Sequence, residues 1–191
     1  MNRETKLSTA LIVVFIATFA TLLYLQSGII PVVIIVGSMT VGFVIWLLTT
    51  ARRPADPGAV LPYYLATLGF LYVHILEEYI YDFAGRVGVL FQSGWTNHDF
   101  AILLGTAGPF IWTLAAVGIW YRNALANFFV IFIFVGMIVG EPAHVLLFPT
   151  LEGGRYHYFP GMWTSLLPMV PAIAGLTTIL RDHRRAAAQP A

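Results

Sequence analysis

A histidine followed by two adjacent glutamates, His74-Ile-Leu-Glu77-Glu78, stands inside a long apolar run. A carboxylate in hydrocarbon is costly and needs a partner, a proton or a metal ion. On a helix His74 shares one face with both acids, at spacings of i, i+3 and i, i+4. Glu141 and His144 repeat the i, i+3 relation further along. Paired Glu-x-x-His dyads supply the ligands of di-iron and di-manganese carboxylate bundles because that spacing aims both heads at one ion. The chain has no cysteine, so histidine and carboxylate are its only strong side-chain ligands.

This places His74, Glu77, Glu78, Glu141 and His144 as candidate ligands of one or two divalent ions, Zn, Fe or Mn, with His98 or His157 completing the shell. Glu77, Glu78 and Glu141 are the candidate catalytic carboxylates. Trp95 and Tyr158 are candidate substrate contacts, and Asn97 and Asp99 candidate supports. The same residues suit a metal-free reading, one glutamate donating a proton and a second carboxylate or His74 accepting one. A proton or cation site in a transporter, or a polar cluster that ties helices together, uses them as well.

The elements that must position these groups are membrane helices. With 59% hydrophobic and 10% charged residues among 191 and a mean hydropathy of +0.81, the chain is far more apolar than a soluble domain. Six segments have the roughly 20 residues a bilayer crossing needs, near 7–25, 31–50, 62–82, 100–121, 126–148 and 162–180. The expectation is an all-α, six-helix membrane bundle forming a single domain over 1–185, with a disordered tail at 186–191. Pro142, between Glu141 and His144, should kink the fifth segment. Pro160, Pro168 and Pro171 imply a bent sixth one.

Eight of the ten Lys and Arg fall at the N-terminus, the second and fourth connections and the tail, leaving only Arg86 and Arg155 on the other side. The positive-inside rule then puts both termini in the cytoplasm. The third and fifth segments run in the same direction, so His74, Glu77 and Glu78 lie at nearly the same depth as Glu141 and His144, in the outer half of the membrane. The aromatic residues around the outer boundary, Tyr79, Tyr81, Tyr156 and Trp163 among them, read as an interfacial belt.

The His74-Ile-Leu-Glu77-Glu78 motif, the Asn97-His98 loop and the Tyr158-Phe-Pro160-Gly161 entry to the last segment, followed by Thr164 and Pro168, resemble the HXXEE family of integral membrane proteins. That resemblance covers about Leu71 to Pro171. It implies a shared membrane fold and brings no reaction with it. A weaker similarity, carried by His74 and Glu78, is to the EXPERA group of sterol isomerases and emopamil-binding proteins, which implies double-bond shifts by proton transfer. Members of that group place a second acid on the following helix, and the 100–121 segment has none.

The leading expectation is a metal-dependent membrane enzyme acting on a lipid or isoprenoid-like substrate by hydrolysis or isomerisation. An acid–base isomerase or cyclase is the alternative, and a transporter or structural membrane protein stands behind both. The bilayer and a hydrophobic small molecule are the expected partners, and nothing basic enough for nucleic acid occurs. Oligomeric state is open. Short connections without an Asn-x-Ser/Thr acceptor favour a prokaryotic inner membrane.

Overall fold

A computed structural model describes residues 3–188. Its elements are α1 (Arg3–Ser27), α2 (Ile29–Leu48), α3 (Pro57–Ile80), α4 (Phe83–Leu90), α5 (Asn97–Ile102), a π turn (Leu103–Ala107), α6 (Gly108–Trp120), α7 (Ala124–Val139), α8 (Ala143–Leu146), α9 (Phe148–Leu151) and α10 (Met169–Ala188). No strand occurs among the described residues. Five helical stretches are long and apolar enough to cross a membrane: α1, α2, α3, Asn97–Trp120 and Ala124–Leu151. Length and composition thus mark an integral membrane protein.

Local chemistry sets the starts. Asp56 caps α3 by accepting from the Ala59 N–H at 3.2 Å, with Pro57 in the first helical position, where its missing N–H costs nothing. Asn123 caps α7 through the Ala126 N–H at 3.1 Å. Thr96 and Asp99 form a capping box that starts α5 three residues before the Phe100 expected from hydropathy. The π turn precedes Pro109, whose ring cannot fit under the carbonyl four residues back, so the helix widens there.

The sixth expected segment is built differently. Residues 160–168 are a series of turns, and helix begins only at Met169. Proline at 160 and 168 explains this, because each removes an N–H and pushes the preceding residue out of the helical region. From Met169 the helix continues past Leu180 through the charged run Arg181 to Arg185. It therefore lacks the apolar length of a span, and five helices rather than six meet that condition. Of the expected tail, 186–188 extend α10, and 189–191 lie outside the described residues.

α7 is the centre of the bundle and touches α1, α2, α3, α6 and α10. Phe128, Val130, Ile131 and Phe134 on it are fully buried. Gly42 lets α2 approach closely, since a Cβ there would lie 3.1 Å from the Phe132 Cα. At one end of the bundle the Thr5 hydroxyl donates to the Ala51 carbonyl at 3.2 Å, and Arg122 pairs with Asp56 at 2.7 Å. The start of α1, the α2–α3 connection and the α6–α7 turn thus share that end. α4 and the 147–161 segment occupy the opposite one.

Candidate functional site

α3 is regular through Ile80, so His74 and Glu78 stack one turn apart and both are buried. α7 stops at Val139. Pro142 supplies no N–H to the Ile138 carbonyl, and the chain turns through Gly140-Glu141-Pro142 before re-forming a helical turn at Ala143. That break turns Glu141 and His144 toward α3. His74, Glu78 and His144 then offer one ligand atom each, all within 4.8 Å of one another. This buried group could hold a metal ion.

The two spacings from Glu78 are close to those around such an ion. Glu78 Oε1 is 3.6 Å from His74 Nε2 and 3.4 Å from His144 Nε2. Two ligand atoms on a tetrahedral ion with bonds of about 2.0–2.1 Å sit about 3.4 Å apart. Glu141 Oε2 is beside them, 2.7 Å from His74 Nε2 and 3.8 Å from His144 Nε2. His74 Nε2 and Glu141 Oε2 are both buried and, despite their proximity, neither has a partner in hydrogen-bond geometry among the described residues. Buried polar atoms are normally satisfied, and two such atoms facing each other fit a shared cation or proton.

Both imidazoles are held in one tautomer. His144 Nδ1 donates to the Pro160 carbonyl at 2.8 Å, which leaves its Nε2 as the lone-pair nitrogen. Phe83 packs 4.9 Å from the His144 ring. The Thr164 hydroxyl has one proton and gives it to Glu77 Oε2 at 2.5 Å. His74 Nδ1, 3.1 Å from that hydroxyl oxygen, must then be the donor, and His74 Nε2 also carries a lone pair toward the cluster. Hydrogen bonding of the outer ring nitrogen to fix the inner one is a standard arrangement around histidine ligands.

Glu77 itself faces away from the cluster. Its carboxylate accepts from the Tyr158 hydroxyl at 2.8 Å, the Trp163 N–H at 3.2 Å and the Thr164 N–H at 2.9 Å, besides the Thr164 hydroxyl. Four donors satisfy a buried carboxylate without a metal. Its place is to anchor the 158–164 segment and to orient His74 through Thr164. Gly161 completes that segment at φ +86°, with a Cβ site only 2.5 Å from His144 Nδ1 and 2.7 Å from His74 Cε1.

The remaining candidates are spread out. Tyr158 reaches Glu77, as described, and packs on Trp163 at 4.4 Å. Its hydroxyl is held protonated, its pKa raised by burial and by the Glu77 bond. Trp95 is buried and lines the cavity described below. Asn97 opens α5 with a buried Oδ1 that has no hydrogen-bond partner among the described residues. Asp99 is used in the capping box, where its carboxylate accepts from the Thr96 hydroxyl at 2.6 Å. His98 is exposed on α5. His157 lies in a separate cluster, bonded to Glu152 at 2.7 Å, and Arg86 pairs with the same carboxylate. Arg86 also donates to the Tyr158 carbonyl at 3.3 Å and stands over the Phe159 ring. This clamp ties α4 to the segment that carries Pro160, Gly161 and Thr164. Spacing alone gave no hint of Arg86, Glu152 or the Pro160 carbonyl.

A cavity of about 250 Å³ opens onto the cluster. His74, Glu78, Glu141 and His144 are its ionisable lining residues, and the rest of its wall is largely apolar. Phe15 and Phe19 of α1, Ile34 and Met39 of α2, and Phe129 and Phe132 of α7 contribute to it. A long apolar space with one polar pole is the usual form of a site for a hydrophobic ligand with a reactive group. Comparison with protein-family models, curated proteins and solved structures gives no match.

Proposed function

We propose that this protein is a membrane-embedded, metal-dependent enzyme that acts on a lipid or isoprenoid-like substrate by hydrolysis or isomerisation. The observation that carries the reading is the unsatisfied pair His74 Nε2 and Glu141 Oε2, beside Glu78 and His144, at the polar pole of an apolar cavity. His74, Glu78 and His144 would hold the ion, a three-residue set of the kind that leaves a position open for chemistry. Zn, Fe and Mn all suit a donor set of imidazole and carboxylate. A bound divalent ion supplies an activated water or polarises a substrate oxygen. Glu141, next to the three and unsatisfied, is the proton acceptor. The apolar wall takes the substrate's chain and keeps bulk water from the reacting end.

The arginine and lysine distribution supports cytoplasmic termini and a site in the outer half of the bilayer, and short connections support a prokaryotic inner membrane. Membership of the HXXEE family belongs to the same proposal, because Glu77, Glu78, Pro160, Gly161 and Thr164 of the resembling motifs all contribute to one site.

The test is elemental analysis of protein purified without affinity histidines or added metal. One equivalent in the wild type, lost in Glu78→Gln and in His144→Ala, is the expected result. Glu141→Gln should keep the metal. No metal in a folded wild type, even after anaerobic loading with Zn, Fe or Mn, would sink the proposal. The 2.7 Å approach of His74 to Glu141 favours, as the second reading, a metal-free isomerase in which that pair shares and transfers a proton.

A further inference from the structure

The end of the bundle far from the His/Glu cluster carries a second cavity, of about 280 Å³, among the α2–α3 connection, Arg122 and the last turns of α10. Arg53, Arg122 and Arg185 line it together with His183. Two acids line it as well, Asp56 and Asp182. Asp56 is committed, with Oδ1 to Arg122 at 2.7 Å and Oδ2 to the Ala59 N–H at 3.2 Å. Arg53 and Arg185 have no ion-pair partner among the described residues, so two guanidinium groups face the cavity against the single uncommitted acid Asp182. Thr50, also in the wall, is only 3% exposed, and its hydroxyl is buried without a hydrogen-bond partner among the described residues. An orphaned hydroxyl beside unpaired guanidinium groups is the donor set that recognises phosphate oxygens.

We propose that this cavity binds a phosphate group, either that of an anionic phospholipid headgroup or free inorganic phosphate. The lipid source is the better fit to its position. It lies where α2 ends and α3 and α7 begin, at the end of the membrane helices that gathers most of the Lys and Arg, where a headgroup phosphate would be within reach. Arg53 and Arg185 supply charge and paired N–H donors, Arg122 adds a third guanidinium steadied by Asp56, and Thr50 adds a hydroxyl. The site is independent of the proposed enzyme centre.

The test uses the full chain released from mixed phosphatidylglycerol and phosphatidylcholine bilayers, with lipid retention read by native mass spectrometry, and a parallel calorimetric titration with inorganic phosphate. The expected result is selective retention of phosphatidylglycerol that falls about tenfold or more in Arg53→Gln/Arg185→Gln and also falls in Thr50→Val. Arg52→Gln/Arg184→Gln removes the same charge from residues outside the cavity and should leave retention unchanged. Binding of inorganic phosphate, lost only in the cavity variants, would assign the site to the soluble source. Equal losses in both arginine pairs would overturn the proposal in favour of diffuse surface attraction, and absence of both phosphatidylglycerol preference and phosphate binding would overturn it outright. Should the double variant not fold, Arg185→Gln, on the exposed last turns of α10, makes the same comparison against Arg184→Gln.

Discussion

Glu77 grips Thr164 twice, through the backbone N–H at 2.9 Å and the hydroxyl at 2.5 Å. The second bond decides the tautomer of His74. Thr164→Val keeps the shape of the side chain and removes the hydroxyl, so His74 Nδ1 loses its acceptor. Metal affinity, measured by competition with a chelator, should fall about 10- to 100-fold, while Thr164→Ser should restore most of it. An unchanged affinity in a folded Thr164→Val protein would show that His74 is oriented by something else.

Gly161 leaves no room for a methyl group between the two imidazoles and sits at a positive φ. Gly161→Ala should combine backbone strain of about 1–3 kcal/mol with displacement of both rings, lowering the thermal midpoint and abolishing metal binding. Gly69→Ala is the control, because its added methyl meets nothing within 4 Å and alanine suits a helix better. If Gly161→Ala bound metal normally, the close packing of that turn on the site would be wrong.

The clamp at Arg86, Glu152 and His157 should make the stability of the 152–164 segment depend on pH. The Glu152 carboxyl is held below its usual range by the Arg86 bond, so its contribution is present above the ordinary carboxylate range and is lost as pH falls through the depressed value. His157 is held above its usual range by the Glu152 bond. Its contribution is complete below the ordinary histidine range and disappears as pH rises through the elevated value. Resistance of the segment to proteolysis should therefore be greatest from about pH 4.5 to 6.5 and should decline on both sides. His157→Gln should abolish the decline on the alkaline side, and added salt should flatten the profile. A profile identical in wild type and His157→Gln would remove the histidine from the clamp.

Gly136 lines the apolar cavity, and a Cβ there would meet only a Phe132 ring atom at 4.0 Å. Gly136→Phe should fill the space without touching the ligands. Metal content should remain, while retention of hydrophobic ligand and any turnover are lost. Loss of metal together with ligand would mean that the cavity and the cluster are not separable.

Much of the site was legible because helix geometry is local. The i, i+4 spacing of His74 and Glu78 needs only a regular α3, and matching depth along two parallel spans brought Glu141 and His144 to the same layer. Pro142 announced the break that turns them inward. Other parts were not legible, for physical reasons. Hydropathy made 162–180 a helix, although proline at 160 and 168 leaves turns that place Gly161 and Thr164 among the histidines. Glu77 and Glu78 are neighbours in sequence, yet successive helical positions point about 100° apart, and four donors from a distant segment hold Glu77. His157 is close to the site in sequence order, but a nearer carboxylate engages it. Such choices depend on which partner arrives, and no spacing encodes that.

The cluster draws on residue 74 at one extreme and residue 164 at the other, with Pro160 and Thr164 fixing the two imidazoles. During synthesis, the first spans enter the bilayer with His74 and Glu78 lacking both their opposite numbers and their orienting bonds. The centre is thus finished only by a segment that emerges 90 residues after His74. Metal acquisition should be a late event in biogenesis, one that acts as a checkpoint: a chain truncated before Thr164 would reach the membrane but never mature.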